Sequence, residues 1–333
     1  MIGAQPGGLR AIAAAAAIRA GISTEIEVPT VSGLAMLPSL GGAAVDDGVA
    51  VVRQGADGAE VLSAGSPIPV PGDPNQEAPG WFAVRQLRAG SFTALIDDVD
   101  PFRMPAEPTV ADRLRSADID RWNTVLQEAW ALLVTHHSDI ARELAAAIRS
   151  VVPLAPPAHG QVSTSSAETF GAVALSKPPD ARVFAVTLVH EVQHLKLSAL
   201  LDIVRLVSPD DGRLFYAPWR DDPRPVGGLL QGAYAYVGVS RFWRKQRLLD
   251  RGDDALGAHA EFARWRAAAL FVVETLEVSG GLTPAGMEFV QGMAHTLRGW
   301  QEEAVPKEAQ QLADDDAQEH LARWQSANGP VPA

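Results

Sequence analysis

Hydrophobic and polar positions change their spacing along the 333 residues. Residues 1–20 form one Ala-rich run that predicts a single helix. From Ile22 to about Asp98 the chain breaks into short β-rich runs punctuated by Gly and Pro, among them STEIEVPTV, GVAVVRQ, AEVLSA, WFAVRQL and SFTALIDD. The intervening SPIPVPGDPNQEAPG has loop composition, and Pro101, Pro105 and Pro108 mark a linker. From Asp112 the period becomes helical, with Ile119, Trp122, Val125, Leu126, Trp130 and Leu133 at three- and four-residue spacing. A second helix is expected from Ser138, as its N-cap, to about Ser150, ended by the run VVPLAPPAHG. Two strand candidates, QVSTSS and GAVALS, precede a long apolar helix from about residue 179 to 207.

A polar loop, SPDDGRLFYAPWRDDPRPVGG, follows, and then an apolar helix, LLQGAYAYVGVSRFWRKQRLL. Further helices are predicted at 254–278, at 283–302 with Thr283 as N-cap and Pro284 in the first turn, and at 306–325. No internal repeat is visible. The pattern predicts an α+β fold, with a small β-rich N-terminal part (1–108) packed on a mainly helical domain (109–333).

Composition narrows the chemistry. A net charge of −12 and a pI near 5.1 argue against a nucleic-acid surface or an anionic-membrane surface. The chain has no cysteine, which removes disulfides, thiolate metal ligands, iron–sulfur clusters and thiol nucleophiles. Any metal must then be held by imidazole and oxygen donors, which suits zinc or iron. No stretch reaches transmembrane length, and residues 11–18, followed at once by Arg19, suit a helix better than a signal segment. A cytoplasmic protein is expected.

The long apolar helix contains His190-Glu191-Val192-Gln193-His194, an HExxH motif. Two histidines four residues apart project from one helix face and can share a metal ion, while Glu191 sits beside that ion to take a proton or orient a water. The competing reading, two histidines solvating a helix face, fits the apolar flanks poorly.

A catalytic metal normally has three protein ligands, and the third is open here. The longer pattern HExxHxxGxxH fails because Leu200 stands at its last position, and Asp202 is about two turns beyond His194. Glu274 and Glu277 are carboxylate candidates from a later helix; Gln231, Tyr234 and Tyr236 are oxygen donors on the helix after the loop. Arg220 and Arg224 lie on the Pro-stiffened loop and suit bidentate capture of a carboxylate, or else pair with Asp221 and Asp222. Lys196 suggests a supporting salt bridge, His136 and His137 a helix-end role, and Trp243 and Trp265 core packing. His159, His259, His295 and His320 have no metal-binding spacing.

The segments HEVQHLKLSALLDIV, FYAPWRDDPRPVGGLLQGAYAYVGVSRFWR and LTPAGMEFVQGM occur in this order. Together they resemble an HExxH-motif peptide-modification family, which also occurs as the C-terminal extension of radical-SAM/SPASM peptide-maturation enzymes. The resemblance covers about residues 110–305. It implies an iron(II)- and 2-oxoglutarate-dependent peptide β-hydroxylase acting on a ribosomally synthesised precursor peptide, with a radical-SAM maturation enzyme as a further partner. It assigns metal binding to His190 and His194, the motif acid to Glu191, and the 2-oxoglutarate-binding loop to Arg220 and Arg224. Relatives often carry a histidine where this chain has Gln231 or Tyr236. Gln231 is therefore the first expectation for the third ligand.

Three functions from different classes follow: the hydroxylase, a zinc metallopeptidase with Glu191 as general base, and a precursor-binding domain without catalysis. No nucleic acid and no membrane is expected as a partner.

Overall fold

The computed structural model describes residues 7–63, 65–104, 109–158 and 160–331; Pro105, Pro108 and His159 lie outside the described residues. The chain opens with helix α1 (Gly7–Ala20). Short strands follow: β1 (Thr24–Pro29), β2 (Leu34–Leu37), β3 (Gly41–Ala44), β4 (Val49–Gly55), β5 (Gly58–Leu62), β6 (Ile68–Val70), β7 (Trp81–Ala83), β8 (Arg85–Ala89) and β9 (Phe92–Ile96). Then come helices α2 (Ser116–His136) and α3 (Ser138–Ala147), strands β10 (Ser150–Leu154), β11 (Ser163–Ser165) and β12 (Ala172–Ser176), and helix α4 (Ala181–Leu201). Helices α5 (Val226–Gln246), α6 (Asp253–Val278), α7 (Pro284–Gln301) and α8 (Lys307–Asn328) complete it. The chain is α+β, a β-rich N-terminal part followed by a mostly helical region. Among the described residues no helix is long and apolar enough to cross a membrane.

Compactness divides the chain elsewhere than at residue 108. The first unit takes residues 1–131, 148–164 and 171–181, and the second takes 132–147, 165–170 and 182–333. Sheet pairing is the reason. Strand β10 runs parallel to both β9 and β12, so these later segments join the sheet ordered β11-β12-β10-β9-β8. The run VVPLAPPAHG, expected only to end a helix, therefore begins as a strand. Beyond Val151 the segment at 109–111 replaces β9 beside β10: Ala111 N–H donates to the Pro153 carbonyl at 2.9 Å, and Arg103 donates to the Ala111 carbonyl at 2.9 Å, so the N–H that Pro153 lacks leaves that carbonyl with a partner.

In the first unit, β1-β4-β5-β6 and β2-β3-β7 form two antiparallel sheets. Their inward residues Val28, Leu37, Val52, Val61 and Trp81 pack with Ala11, Ala14 and Ala15 of α1. The small side chains of α1 let it lie close to the sheet. WFAVRQL, which reads as one strand, divides into β7 and β8 of different sheets, and β2, β3 and β6 fall in segments with no strand signal.

The second unit is a helical cluster. Leu229, Leu230 and Ala233 of α5 meet Val272, Val273 and Leu276 of α6 and Val290, Ala294 and Leu297 of α7 in one buried core. Helix α7 starts as its sequence predicts: the Thr283 hydroxyl accepts the Gly286 N–H at 3.0 Å, with Pro284 in the first turn. The same hydroxyl donates to the Arg205 carbonyl at 2.7 Å, tying the helix start to the segment after α4. Helix α3 begins at Ser138 itself, and the His137 carbonyl accepts the first helical bond from Ala141. His137 is a core residue: its Nε2 meets Gln246 Oε1 at 3.1 Å and its ring stacks on Phe242. His320, also buried, shares a hydrogen bond of 2.9 Å with the Tyr216 hydroxyl. Burial pushes that phenol up to about 12.

Two outcomes follow. Thr283→Ala removes a cap and a tether, and is expected to cost about 1–2 kcal/mol in urea unfolding; an unchanged midpoint would rule out the cap as a stabilising contact. Burial holds His137 and His320 below the ordinary imidazole value of 6.5. The unfolded chain therefore binds more protons between the folded and unfolded values. This contribution is complete above 6.5 and is lost as pH falls through the folded values. Unfolding midpoints should drop from about pH 7 to pH 5, and a His137→Gln, His320→Gln double variant should show a flatter profile.

Candidate metal centre

Helix α4 buries Phe184, Ala185, Leu188, Val189, Val192 and Leu195, a wide apolar surface that fixes its rotation in the second unit. With that rotation set, the i, i+4 spacing brings the two imidazoles edge to face, with His190 Nε2 and His194 Nε2 3.0 Å apart. His194 Nδ1 lies 3.1 Å from Gln231 Oε1. A carboxamide oxygen only accepts, so His194 donates through Nδ1–H, and in the neutral ring its Nε2 keeps a lone pair. His190 Nε2–H then donates to that lone pair. Burial, and next the charge of His194, lower the His190 ring to about 3, so it stays neutral at any physiological pH.

Two imidazole nitrogens each ~2.1 Å from one ion stand ~3.0 Å apart at a right angle and ~3.4 Å apart at the tetrahedral angle. The separation seen here is compatible with one shared ion, once His190 moves its proton to Nδ1. Glu191 supplies the second part of the fit. It is 1% exposed, and its Oε2 has no hydrogen-bond partner among the described residues. A buried carboxylate oxygen left without a donor is costly, so this atom calls for a water or a ligand hydroxyl.

Gln231, expected as a third ligand, sits instead on the outer nitrogen of His194, where it orients the ring. The carboxylate candidates are engaged elsewhere: Arg298 of α7 holds Glu274 at 3.3 Å and Glu277 at 3.0 Å. Tyr234 packs on Phe289 and under Lys196, and Lys196 makes its salt bridge with Glu143 at 2.9 Å. Asp202 is exposed just past the end of α4. Among the described residues no group of three or more His, Cys, Asp or Glu is arranged to hold a metal. The protein side of the centre is a two-histidine platform with Glu191 beside it.

Tyr236 forms the wall on the other side. Its ring meets His190 edge-on at 5.2 Å and lies between Trp219 at 4.5 Å and Trp265 at 4.3 Å. Trp265 Nε1 donates to Glu261, whose carboxyl is pushed up by burial. Two glycines of α5 permit these approaches. A Cβ at Gly232 would come within 2.5 Å of Trp219 Nε1, and one at Gly238 within 2.5 Å of Gln193 Cγ on α4. The sequence pattern does not single out Trp219. Its signal was an aromatic residue inside a polar, proline-rich loop that faces a Gly-containing helix.

Arg220 and Arg224, expected to face the metal, converge on Asp222. Arg220 Nε donates to Oδ1 at 2.8 Å and an Arg224 terminal nitrogen to Oδ2 at 3.0 Å. Burial tends to raise the Asp222 carboxyl, but the two arginines outweigh it and hold the group below its ordinary value. The loop is closed further by paired backbone bonds between Phe215 and Arg224. No family model matches the chain, and no curated protein matches its sequence.

Because Gln231 acts on the ring and not on the ion, Gln231→Leu is expected to lower cobalt or zinc affinity by roughly 10–100-fold in a chelator competition titration. The thermal midpoint should move little. Undiminished affinity would remove Gln231 from the centre.

Proposed function

We propose that this chain binds a divalent ion on His190 and His194 and, with iron(II) and 2-oxoglutarate, hydroxylates a residue of a ribosomally made precursor peptide. The observation that carries the reading is the convergence of the two Nε2 atoms 3.0 Å apart, with Gln231 setting the His194 tautomer. Bound iron with 2-oxoglutarate supplies oxygen activation, in which one oxygen atom enters the substrate and the other enters succinate as carbon dioxide leaves.

The residues of the chain divide the remaining work. His190 and His194 hold the ion, and Glu191 gives its unpartnered Oε2 to a hydroxyl or water beside it. Tyr236, stiffened by Trp219 and Trp265, keeps the His190 ring in place and shields that side from water. Asp222 competes with the co-substrate for Arg220 and Arg224, so capture of its distal carboxylate requires an exchange of partners on the loop.

A chelating co-substrate favours this reading over the zinc peptidase. It brings its own oxygen donors to a two-histidine ion, whereas the peptidase needs a third protein ligand, and Glu274 and Glu277 are held by Arg298. The same count of protein ligands favours, as a second reading, a precursor-binding domain without catalysis.

The deciding experiment loads the protein anaerobically with iron(II), then adds 2-oxoglutarate, oxygen and a precursor peptide encoded beside it, and follows products by mass spectrometry. The expected result is a peptide gain of one oxygen atom with matching succinate, abolished in His190→Ala. Backbone cleavage would support the peptidase instead. An unmodified but tightly bound peptide would support the second reading. Glu191→Gln should keep ion affinity within a few-fold, since the carboxylate is not a ligand, while turnover falls by roughly 100-fold or more.

A further inference from the structure

The chain has three tyrosines and eight tryptophans, and one tyrosine and two tryptophans stack beside His190. The Tyr236 ring lies nearly parallel to both indoles, at 25° to Trp219 and 30° to Trp265, and meets the His190 ring at 75°. From His190 through Tyr236 to Trp265 the ring centroids are 5.2 and 4.3 Å apart, so π-systems touch along the whole path. Trp219 and Trp265 are partly exposed, and the stack therefore leads from the histidine pair towards solvent. All of these residues belong to the second unit.

Core packing accounts for the stack but not for the groups around Trp265. Its indole N–H donates to Glu261 Oε2 at 2.5 Å, one turn earlier on α6. Burial raises the Glu261 carboxyl, which makes it the stronger base for a proton released beside it. The nearby cation Arg264 pairs with Asp316 at 2.9 Å and lies 4.5 Å over the Trp265 ring, leaving Glu261 to the indole. An oxidised indole is acidic at the same N–H that Glu261 holds. Trp219 differs, because its Nε1 lies against Gly232 and makes no hydrogen bond among the described residues. The guanidinium opposes a positive charge on the Trp265 ring, and loss of the proton to Glu261 removes that conflict.

We propose that Tyr236 and Trp265 form an electron relay that disarms the centre when an oxidant forms at the ion with no peptide to oxidise. The oxidant takes one electron, which the Trp265 indole supplies through the Tyr236 ring. The indole N–H proton passes to Glu261 Oε2, leaving a neutral indolyl radical and a protonated carboxyl. An external one-electron reductant such as ascorbate then restores the electron, and Glu261 returns the proton. His190 and His194 are spared the oxidation that their place beside the ion would otherwise bring. The inference rests on an oxidising ion at the histidine pair, and not on which substrate that ion serves.

The full-length protein is loaded with copper(II), whose nitrogen hyperfine pattern in electron paramagnetic resonance reports binding to the histidines, and is frozen just after hydrogen peroxide is added. The relay predicts an organic radical whose signal changes with ring-deuterated tryptophan and not with ring-deuterated tyrosine. Trp265→Phe should lose this signal with the copper pattern unchanged, and mass spectrometry should then find oxygen added at His190, His194 or Tyr236. Tyr236→Phe keeps the stack and should retain the signal, whereas Glu261→Gln should lower its yield by roughly tenfold or more. With copper on the histidines, the relay is overturned by the absence of an organic radical or by a tryptophan signal that survives Trp265→Phe. An undiminished yield in Glu261→Gln overturns it as well, and each of these results leaves the hydroxylase reading standing. Copper that stays off the histidines would overturn both.

Discussion

The candidate centre depends on one constraint: two imidazoles from one turn of a buried helix meet nitrogen to nitrogen at 3.0 Å. Only one of the facing atoms can carry a proton, and Gln231 decides which by taking the outer N–H of His194. Burial keeps His190 uncharged. A lone pair is therefore held ready on His194, and a single tautomer change on His190 prepares the second. Glu191, on the same helix and also buried, adds an oxygen with no hydrogen-bond partner among the described residues.

That constraint is maintained by close helix approach. Gly238 lets α5 lie against Gln193 of α4, and Gly232 lets the indole of Trp219 settle onto α5 and against Tyr236. A larger residue at either position would push these groups apart and change the distance between Gln231 and His194. The loop that delivers Trp219 is held from within, by Asp222 between two arginines. Through Trp219 the loop reaches Tyr236, and through Tyr236 the His190 ring.

The two compact units manage exposed polar backbone differently. In the helical unit, orphan donors are met by local caps such as Thr283, a device that a short sequence window reveals. In the β-rich unit, the β8 edge is met by asparagines from positions 75 and 123, which no local window connects. The first arrangement closes a helix end for good. The second covers an edge with side chains that only the tertiary fold brings together.

Much of this was legible in the residues alone, for local reasons. Three- and four-residue spacing marks the helices, Thr283-Pro284 marks the start of α7, and the separation of His190 from His194 places both on one face whatever packs around them. What the tertiary structure decided was every role that depends on a partner distant in sequence. Pro153 suggests a break until the fold sets Ala111 beside it and lets Arg103 meet the carbonyl that its missing N–H would have served. Gln231 has an oxygen that could ligate a metal, but the position of α5 against α4 turns that oxygen to the outer nitrogen of His194. Arg220 and Arg224 differ, because their partner is local: the residues alone offer Asp222 as an alternative to a bound carboxylate, and that pairing forms. Helix periodicity is written in neighbouring residues, whereas a hydrogen bond between residues 194 and 231 depends on how two helices meet.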